Sequence, residues 1–517
     1  MNNKDLPNTV EELQALVMHL YDENEKYKKR NIFLESLHFA RKTEKRKALN
    51  DPPGQLFLFN EAECHADSIK EEKNDDDIIV TTHKRKRGHR RPLPEDLRRK
   101  IVTIDIPEEE KICGCGVHLK EIRKETSEKL CIIPRQIYIE VVTRPVYACP
   151  HCEGTETDGA PVKIAPMPPQ LITHGIASPE LVATVVYDKF SSHLPLYRQS
   201  NIFSKVGIDL TRSTLSRWIL LAAEKCQPLY ERLFNEVVSG HVMHMDETRL
   251  QVLNEEERAD ESLSTMWVMC GGKDRNVRSF YYDQSHGAGV AEKLLKNFNG
   301  YLMTDGLKIY DKVGEREGLI HVSCLVHMRR RFADVVKMTG KKRGKGLSGE
   351  ILDLIAKLYR KEKILREQLS NGKISRDEFI EARKVEHIPI LDKIKSLLDD
   401  NVSLVPPKSA LGDAITYALK YWDRMLRYLD CAELPPDNNI AENAIRPVAV
   451  GRKNWLFAGS PRGANASTLF FTLIECAKAN NLNEYEYLIH VLRNIASADT
   501  AEKIEALLPW NAKSVQP

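Results

Sequence analysis

The chain has 517 residues, of which 42% are hydrophobic and 29% are charged, a globular composition that excludes collagen-like, low-complexity and largely disordered classes. Its length predicts roughly three or four domains, and its net charge of +3 is uninformative because the charges are unevenly distributed. No apolar run reaches the roughly 18 residues of a membrane helix, the chain does not begin as a signal peptide, and eleven cysteines are too sparse for a disulfide scaffold. We therefore expect a cytoplasmic protein with no membrane partner.

Residues 1–48 contain two series of residues with a spacing of seven. The series are Leu13, Leu20, Tyr27, Leu34 and Val10, Val17, Asn24, Asn31. Such a and d positions are typical of a coiled coil, and Asn at a positions fixes the register. We predict a parallel oligomerisation helix and a homo-oligomer of at least two chains. An amphipathic helix packed on its own chain is the alternative.

Residues 49–104 have the composition of a charged linker. An acidic block at 71–77 precedes a basic arm at 83–100, which carries nine Lys or Arg against two acids. Flexible basic arms bind the phosphates of nucleic acids by releasing counterions. We predict that the arm contacts DNA, with a merely solvated tract as the alternative. The candidate contact residues are Arg85, Arg87, Arg90 and Arg91.

Residues 105–165 contain two closely spaced pairs of cysteines. The pairs are Cys113 with Cys115 and Cys149 with Cys152. Four thiolates suit one structural, tetrahedral Zn²⁺, and alternation in residues 136–144 predicts strands between the pairs. We predict a zinc ribbon, with unliganded buried cysteines as the alternative. Because the first pair is spaced more tightly than usual, His118 or His151 is an alternative ligand.

Residues 166–235 are rich in apolar positions at helical spacing. A helix predicted at 196–207 is followed by a second helix whose N-cap is Thr211 or Ser213. The pair has the pattern of a helix-turn-helix, in which Ser213 and Arg217 would meet phosphates or bases. Plain helical packing is the alternative.

From residue 241 the pattern changes to short strands. The predicted strands are 241–246, 265–270, 277–282, 301–305 and 319–324, with a helix at 291–298. This order would place the ends of the first and fourth strands side by side, so that Asp246 and Asp305 face each other. Glu442 lies near the start of a later helix, and Glu475 is an alternative third acid. The alternative is that these acids are isolated from one another and have only a structural role.

Three carboxylates at one sheet edge have a known use in phosphodiester chemistry. Carboxylate oxygens hold Mg²⁺, and two such ions roughly 4 Å apart activate the attacking oxygen and stabilise the leaving oxygen. The acids therefore predict two Mg²⁺ (or Mn²⁺) ions per active site, held by Asp246, Asp305 and Glu442.

Several stretches of the chain resemble bacterial transposases of the insertion sequence 66 family. They are Gln55–Ala62, Arg91–Asp96, Ser192–Gln199, Asp246–Thr248, Tyr301–Gly306, Asp437–Ser460 and Leu507–Asn511. The resemblance implies a DDE transposase that binds element ends and target DNA and cleaves and joins strands, with Asp246, Asp305 and Glu442 as catalytic metal ligands. There are two alternatives. One is a catalytically silent DNA-binding regulator descended from such an enzyme, and the other is an RNase H-like nuclease that does not join strands.

The resemblance also implies the domain order of a multidomain α/β protein. The coiled coil, the zinc ribbon and the helix-turn-helix-like domain come first. They are followed by an RNase H-like catalytic core at 236–480, which contains a helical insertion at about 335–430. A C-terminal segment at 481–517 comes last. Small accessory proteins encoded beside the gene are a further class of partner that the sequence leaves open.

Further site residues carry less specific signals. Cys324 and His327 match a C-x-x-H element that related transposases carry between the second Asp and the Glu, and they would order the edge of the site; a buried cysteine and a capping histidine are an equal alternative. Further candidates for holding the DNA backbone, with a solvated face as the alternative, are Arg329–Arg331, Arg446, Arg452 and Lys453. Trp455 would stack on an unpaired base or lie in the core.

Overall fold

This computed structural model describes residues 136–148, 162–273, 275–338 and 346–512, together with Met18. They belong to two compact units, one within residues 66–168 and the other in the rest of the chain. In the described ranges, no helix has the length and apolar character needed to span a membrane. The predicted features outside these ranges are the coiled coil apart from Met18, and Arg85, Arg87, Arg90, Arg91, Cys113, Cys115, Cys149 and Cys152.

The smaller unit contains an antiparallel pair of short strands, β1 (Val146–Ala148) and β2 (Val162–Ile164). The strands predicted at 136–144 are absent: residues 136–145 have no regular secondary structure, and their side chains are exposed. An alternating segment becomes a strand only when a partner pairs with it and buries one face. In the sequence, β1 therefore precedes the second cysteine pair and β2 follows it.

From residue 169 onward, four helices of the larger unit precede its sheet. They are α1 (Pro179–Phe190), α2 (Leu196–Lys205), α3 (Arg212–Lys225) and α4 (Gln227–Val238). The predicted helix pair is confirmed as α2 and α3. Thr211 caps α3, because its hydroxyl accepts the backbone N–H of Thr214 at 3.2 Å, which satisfies one of the free donors at a helix start.

A six-stranded sheet forms the centre of this unit. Its strands are β3 (Val242–Val252), β4 (Leu263–Gly271), β5 (Val277–Asp283), β6 (Gly300–Thr304), β7 (Leu319–Ser323) and β8 (Phe457–Ala458). Their order is β5-β4-β3-β6-β7, with β8 beside the end of β3. The β3, β4 and β5 strands are antiparallel neighbours, whereas β6 runs parallel to β3 and β7 parallel to β6. All five predicted strands are confirmed, although β3 runs six residues beyond Asp246.

Helices surround the sheet and follow it. They are α5 (Ala288–Leu294), α6 (Leu325–Met338), α7 (Leu347–Ser370), α8 (Arg376–Val402), α9 (Ala410–Lys420), α10 (Trp422–Leu426), α11 (Asn439–Trp455), α12 (Pro461–Ala479), α13 (Glu484–Asn494) and α14 (Ala501–Ala506). The predicted amphipathic helices at 347–400 correspond to α7 and α8. One apolar core joins the sheet to the helices before and after it, and a second joins β6 and β7 to α6–α10. The described residues thus form a mixed α/β protein in which the helices α6–α10, called the insertion below, lie between β7 and α11.

Candidate active site

The register of β3 against β6 brings two of the predicted acids to the same level of the sheet. His244 pairs with Met303 across these parallel strands, and Asp246 and Asp305 each lie two residues further along. Both residues are half-buried. The two acids are therefore neighbours as expected, but Asp246 lies in the middle of β3 and not at its end, and Asp305 directly follows β6.

The turn after β6 is fixed by a helix of the insertion. Gly306 has φ +88°, and a Cβ at this position would lie 2.9 Å from the Tyr417 hydroxyl oxygen. That hydroxyl donates to the backbone carbonyl of Asp305 at 2.6 Å, and the Asp305 carboxylate accepts the Leu307 N–H at 3.0 Å. Glycine is the residue that adopts this φ without steric cost. Tyr417, on α9, thus holds the backbone of the second acid.

Asn438 attaches the start of α11 to β3. Its amide nitrogen donates to the Met245 carbonyl at 2.8 Å, and its amide oxygen lies 3.1 Å from Nδ1 of His244. The backbone N–H of Asn438 also donates to the Cys324 sulfur at 3.2 Å. Asn438 is fully buried, and buried polar groups with all partners satisfied specify one arrangement of the elements around them. Glu442, one turn into α11, is therefore carried toward Asp246 on β3.

The electrostatics show that the acids act on one another. Burial raises the pKa of Asp246 well above its usual range, and the charges of Glu247, Glu442 and Asp305 raise it further. Burial, followed by the charge of Glu247, raises the pKa of Asp305 to about 7, while backbone hydrogen bonds and Arg330 oppose that rise. Carboxylates that disfavour each other's charge are relieved by a cation among them. The donor set therefore fits a divalent ion that prefers oxygen ligands.

Glu475, the alternative third acid, has a different environment. It lies on α12, where its carboxylate forms an ion pair with Lys478 at 2.8 Å. Burial raises the pKa of Glu475, and Lys478 lowers it. Glu442, by contrast, is among the charges that raise the pKa of Asp246, so the electrostatics favour Glu442 over Glu475 as the acid that acts on Asp246.

Glu442 also belongs to a cluster with the C-x-x-H element. Its Oε2 accepts Arg330 Nη2 at 2.9 Å, and its Oε1 lies 3.5 Å from His327 Nδ1. In the described ranges, Cys324, His327 and Glu442 are the one group of at least three His, Cys, Asp or Glu residues whose ligand atoms all lie within 4.8 Å of one another. Asp246 and Asp305 lie outside that group.

A fourth acid, Glu247, was not singled out in the sequence. Its side chain is 4% exposed, accepts the Tyr310 hydroxyl at 2.6 Å and lies 3.2 Å from Nε2 of His286. Its charge raises the pKa of both Asp246 and Asp305. The available signal was its place directly after Asp246, but successive residues of a strand point to opposite faces, so adjacency alone does not assign it to the site.

The candidate DNA-contact residues within the described ranges divide into exposed and structurally engaged groups. Ser213 and Arg217 are exposed on α3, and Lys453 is exposed on α11. Arg452 and Arg446 are half-buried, and Arg452 donates to the Thr248 hydroxyl at 2.8 Å. One face of α11 thus binds the sheet while Lys453 faces outward.

Arg330, Arg331 and Trp455 also have contacts within the fold. Arg330 turns toward Glu442, and the guanidinium of Arg331 lies 4.1 Å from the ring centre of Tyr417. Trp455 is half-buried, and the Lys189 ammonium lies 5.3 Å from the centre of its ring. Arg330 and Arg331 thus contact Glu442 and Tyr417, respectively, beside the acids, which the basic run in the sequence did not indicate.

Comparisons with known proteins cover most of the chain. Residues 174–466 match the family model described as "Transposase IS66 family", and residues 472–510 match the IS66 C-terminal element. Residues 110–153 match the zinc-finger binding domain of transposase IS66, and residues 27–102 match the model described as "Transposase C of IS166 homeodomain". The zinc-finger match spans all four predicted zinc-binding cysteines.

Three similar proteins come from Sinorhizobium fredii. The protein y4jD is 34% identical over 437 residues, which are 82% of each chain. The protein y4hP is 29% identical over 84% of this chain and 79% of its own length, and y4qI is 28% identical over 92% of this chain and 86% of its own length. Each of the three is described as "uncharacterized", so these relatives do not indicate an activity.

Proposed function

Because the chain belongs to the IS66 family of transposases, we propose that it is a metal-dependent DDE transposase that binds the ends of a mobile element, cleaves DNA and joins the cut end to target DNA. One observation carries this proposal: Asp246 and Asp305 lie at one level of neighbouring parallel strands, and the charge of Glu442 acts on Asp246. Carboxylates hold Mg²⁺, and two such ions can drive phosphodiester chemistry.

The topology supports an RNase H-like catalytic core. The sheet order β5-β4-β3-β6-β7 places three antiparallel strands first and then two parallel strands on the other side of β3, as that fold does. The helical insertion enters between β7 and α11, in the interval that separates the second acid from the third.

In the proposed reaction, water cleaves a phosphodiester bond at an element end and leaves a 3′-hydroxyl, which then attacks a phosphodiester bond of the target and displaces the target's own 3′-oxygen. Asp246, Asp305 and Glu442 would hold two Mg²⁺ ions, which supply Lewis-acid activation of the attacking oxygen and charge stabilisation of the leaving oxygen. Tyr417 and Asn438 orient the elements that carry the acids. Arg330 compensates part of the negative charge through Glu442.

DNA would be the main partner of the protein, which would act in the bacterial cytoplasm on nucleoid DNA. The basic arm with Arg85, Arg87, Arg90 and Arg91, and the exposed Ser213, Arg217 and Lys453, would contact the phosphate backbone, because such contacts position a protein on a duplex. Arg452 would contribute only if its hydrogen bond to Thr248 opens, whereas Arg446 is half-buried. The match of residues 27–102 to a homeodomain-type model supports an N-terminal role in binding.

The test uses purified full-length protein, Mg²⁺ and linear DNA recovered from either side of the gene. Transposition predicts cleavage at the element end and products in which that end is joined to a second DNA. A nuclease would give cleavage without joined products, and a silent regulator would bind without cleaving. Either result would replace the proposal with the corresponding alternative.

The zinc-finger match leads to a prediction about metal content. Purified protein should carry about one tightly bound zinc per chain at the cysteine pairs, and Cys149→Ser with Cys152→Ser should release it and weaken end binding, because structural zinc contributes folding free energy directly. Elemental analysis of freshly purified, reduced protein measures the zinc. A zinc-free parent protein would eliminate the ribbon.

The heptad pattern leads to a prediction about assembly. Deletion of residues 1–45 should lower the oligomeric state and impair the pairing of two element ends, because a coiled coil joins chains only through its a and d seam. The residues of the sheet and the acid site should remain folded. Light scattering measures the mass of the particle, and an unchanged number of chains per particle after deletion would contradict the coiled coil.

A further inference from the structure

The proposed function does not explain why Cys324 and His327 lie beside Glu442 in one cluster. We propose that these three side chains form a metal site of their own, which takes Zn²⁺ or an ion of the same borderline class. The site is separate from the pair Asp246 and Asp305, and it shares only Glu442 with the acid set of the proposed function.

The geometry of the cluster is close to that of a tetrahedral site. With bonds of about 2.0–2.3 Å to nitrogen, oxygen and sulfur, the ligand atoms around Zn²⁺ lie about 3.3–3.6 Å apart. His327 Nδ1 and Glu442 Oε1 are already 3.5 Å apart, and all three ligand atoms lie within 4.8 Å of one another. An ion would therefore need only small side-chain movements to bind all three, and it would keep a fourth position for water.

The backbone holds the ligands in place. Cys324 immediately precedes α6 and His327 lies in its first turn, while Glu442 lies in the first turn of α11. The Cys324 sulfur accepts the Asn438 N–H at 3.2 Å and also a backbone hydrogen bond from His327. Two N–H donors directed at one sulfur are the kind of outer contact that orients and tunes a metal-bound thiolate.

Arg330 supplies the outer contact of the carboxylate. It binds Glu442 Oε2, which leaves Oε1 directed at His327 Nδ1. Its Nη1 also donates to His327 Nε2 at 3.2 Å. This second contact has to open when an ion binds at Nδ1, because the neutral ring then carries its proton on Nε2. Arg330 thus holds Glu442 in place, while its hydrogen bond to His327 competes with metal binding by that histidine.

The ligand types decide which ion the site prefers. Thiolate and imidazole favour Zn²⁺, whereas Mg²⁺ takes oxygen ligands almost exclusively. A divalent ion supplies the charge that stabilises the thiolate. Zn²⁺ at this point would also withdraw Glu442 from the proposed Mg²⁺ site, a consequence that rests on the proposed function.

The test measures metal stoichiometry in full-length protein whose ribbon has been loaded with Zn²⁺. Co²⁺ is then added, and the near-ultraviolet charge-transfer band of a cobalt–thiolate bond reports the second site. The parent protein should bind about one further ion per chain and show the band. Cys324→Ser should lose the band, and His327→Ala and Glu442→Gln should each weaken binding at least tenfold.

The matched control is Cys270→Ser, since Cys270 is a free, fully buried thiol on β4; it should keep both the band and the stoichiometry. Circular dichroism and retention of the ribbon zinc check that each variant is folded. A band that persists in Cys324→Ser, or a parent protein that takes up no second ion, would overturn the site. Asp246→Asn should retain the second ion even where it abolishes cleavage, so failure of the site and failure of the proposed function are distinguishable.

Discussion

Asp246→Asn, Asp305→Asn and Glu442→Gln should each reduce DNA cleavage and strand joining by several orders of magnitude while leaving end binding near the parent level. Each change keeps the shape of the side chain and removes a negative oxygen ligand, and an amide oxygen holds Mg²⁺ poorly. Binding rests on basic surfaces elsewhere in the chain. Gel-shift titration measures binding, and single-turnover cleavage of end DNA measures the chemical step.

The losses should be strongly non-additive in double variants, because the three acids act as one unit. Glu475→Gln is the matched control, since Glu475 is also buried on a helix but is paired with Lys478. It should cleave at close to the parent rate. An active Glu442→Gln together with an inactive Glu475→Gln would move the third ligand to α12.

Cys324→Ser separates the two roles that the proposals give to Glu442. In the proposed transposase site Glu442 holds Mg²⁺ together with Asp246 and Asp305. Removal of the Cys324 thiol should therefore reduce cleavage far less than removal of the Glu442 carboxylate. In the proposed zinc site both the thiol and the carboxylate are ligands, so removal of either one should weaken Co²⁺ binding. The two measurements therefore assign the effect of Glu442→Gln to one role or to both.

The strands and the placement of Asp246 and Asp305 on neighbouring strands could be predicted because the relevant signals are local. Alternation and the flanking turn residues located β3–β7, and Asp246 and Asp305 lie at or next to the ends that the pattern predicted. Once β3 and β6 are parallel neighbours, the register brings the two acids to one level. The failure at residues 136–145 has the same origin, because a local alternating pattern does not say whether a partner strand exists.

The contacts that orient the site could not be predicted because they join distant parts of the chain. Tyr417 reaches the Asp305 carbonyl, and Arg330 reaches Glu442, each across 112 residues; Asn438 reaches the Met245 carbonyl across 193 residues. No local pattern marks an asparagine or a tyrosine for such a task. The C-x-x-H element illustrates the same limit: both interpretations of Cys324 and His327 suited the sequence, and only the fold brings Glu442 to them.

A buried ion pair connects the insertion to the segment that leads to α11. Arg383 on α8 is fully buried; its guanidinium binds Glu362 Oε1 at 2.7 Å and Oε2 at 3.1 Å. It also donates to the carbonyls of Tyr428, Cys431 and Leu434. This segment precedes Asn438 and Glu442, so the pair holds the chain where it approaches the acids.

Glu362→Gln should lower the free energy of unfolding by about 3–5 kcal/mol, because it leaves a buried guanidinium without its carboxylate. Replacing both members with apolar residues should remain destabilising, since three backbone carbonyls would lose their donor. Asp399→Asn is the control: the exposed Lys395–Asp399 pair on α8 should contribute at most about 0.5 kcal/mol. Urea unfolding followed by tryptophan fluorescence, which samples Trp422 in the same core, measures both. Equal stabilities for the two variants would mean that the buried pair does not hold the insertion, and that apolar packing alone positions the segment before Glu442.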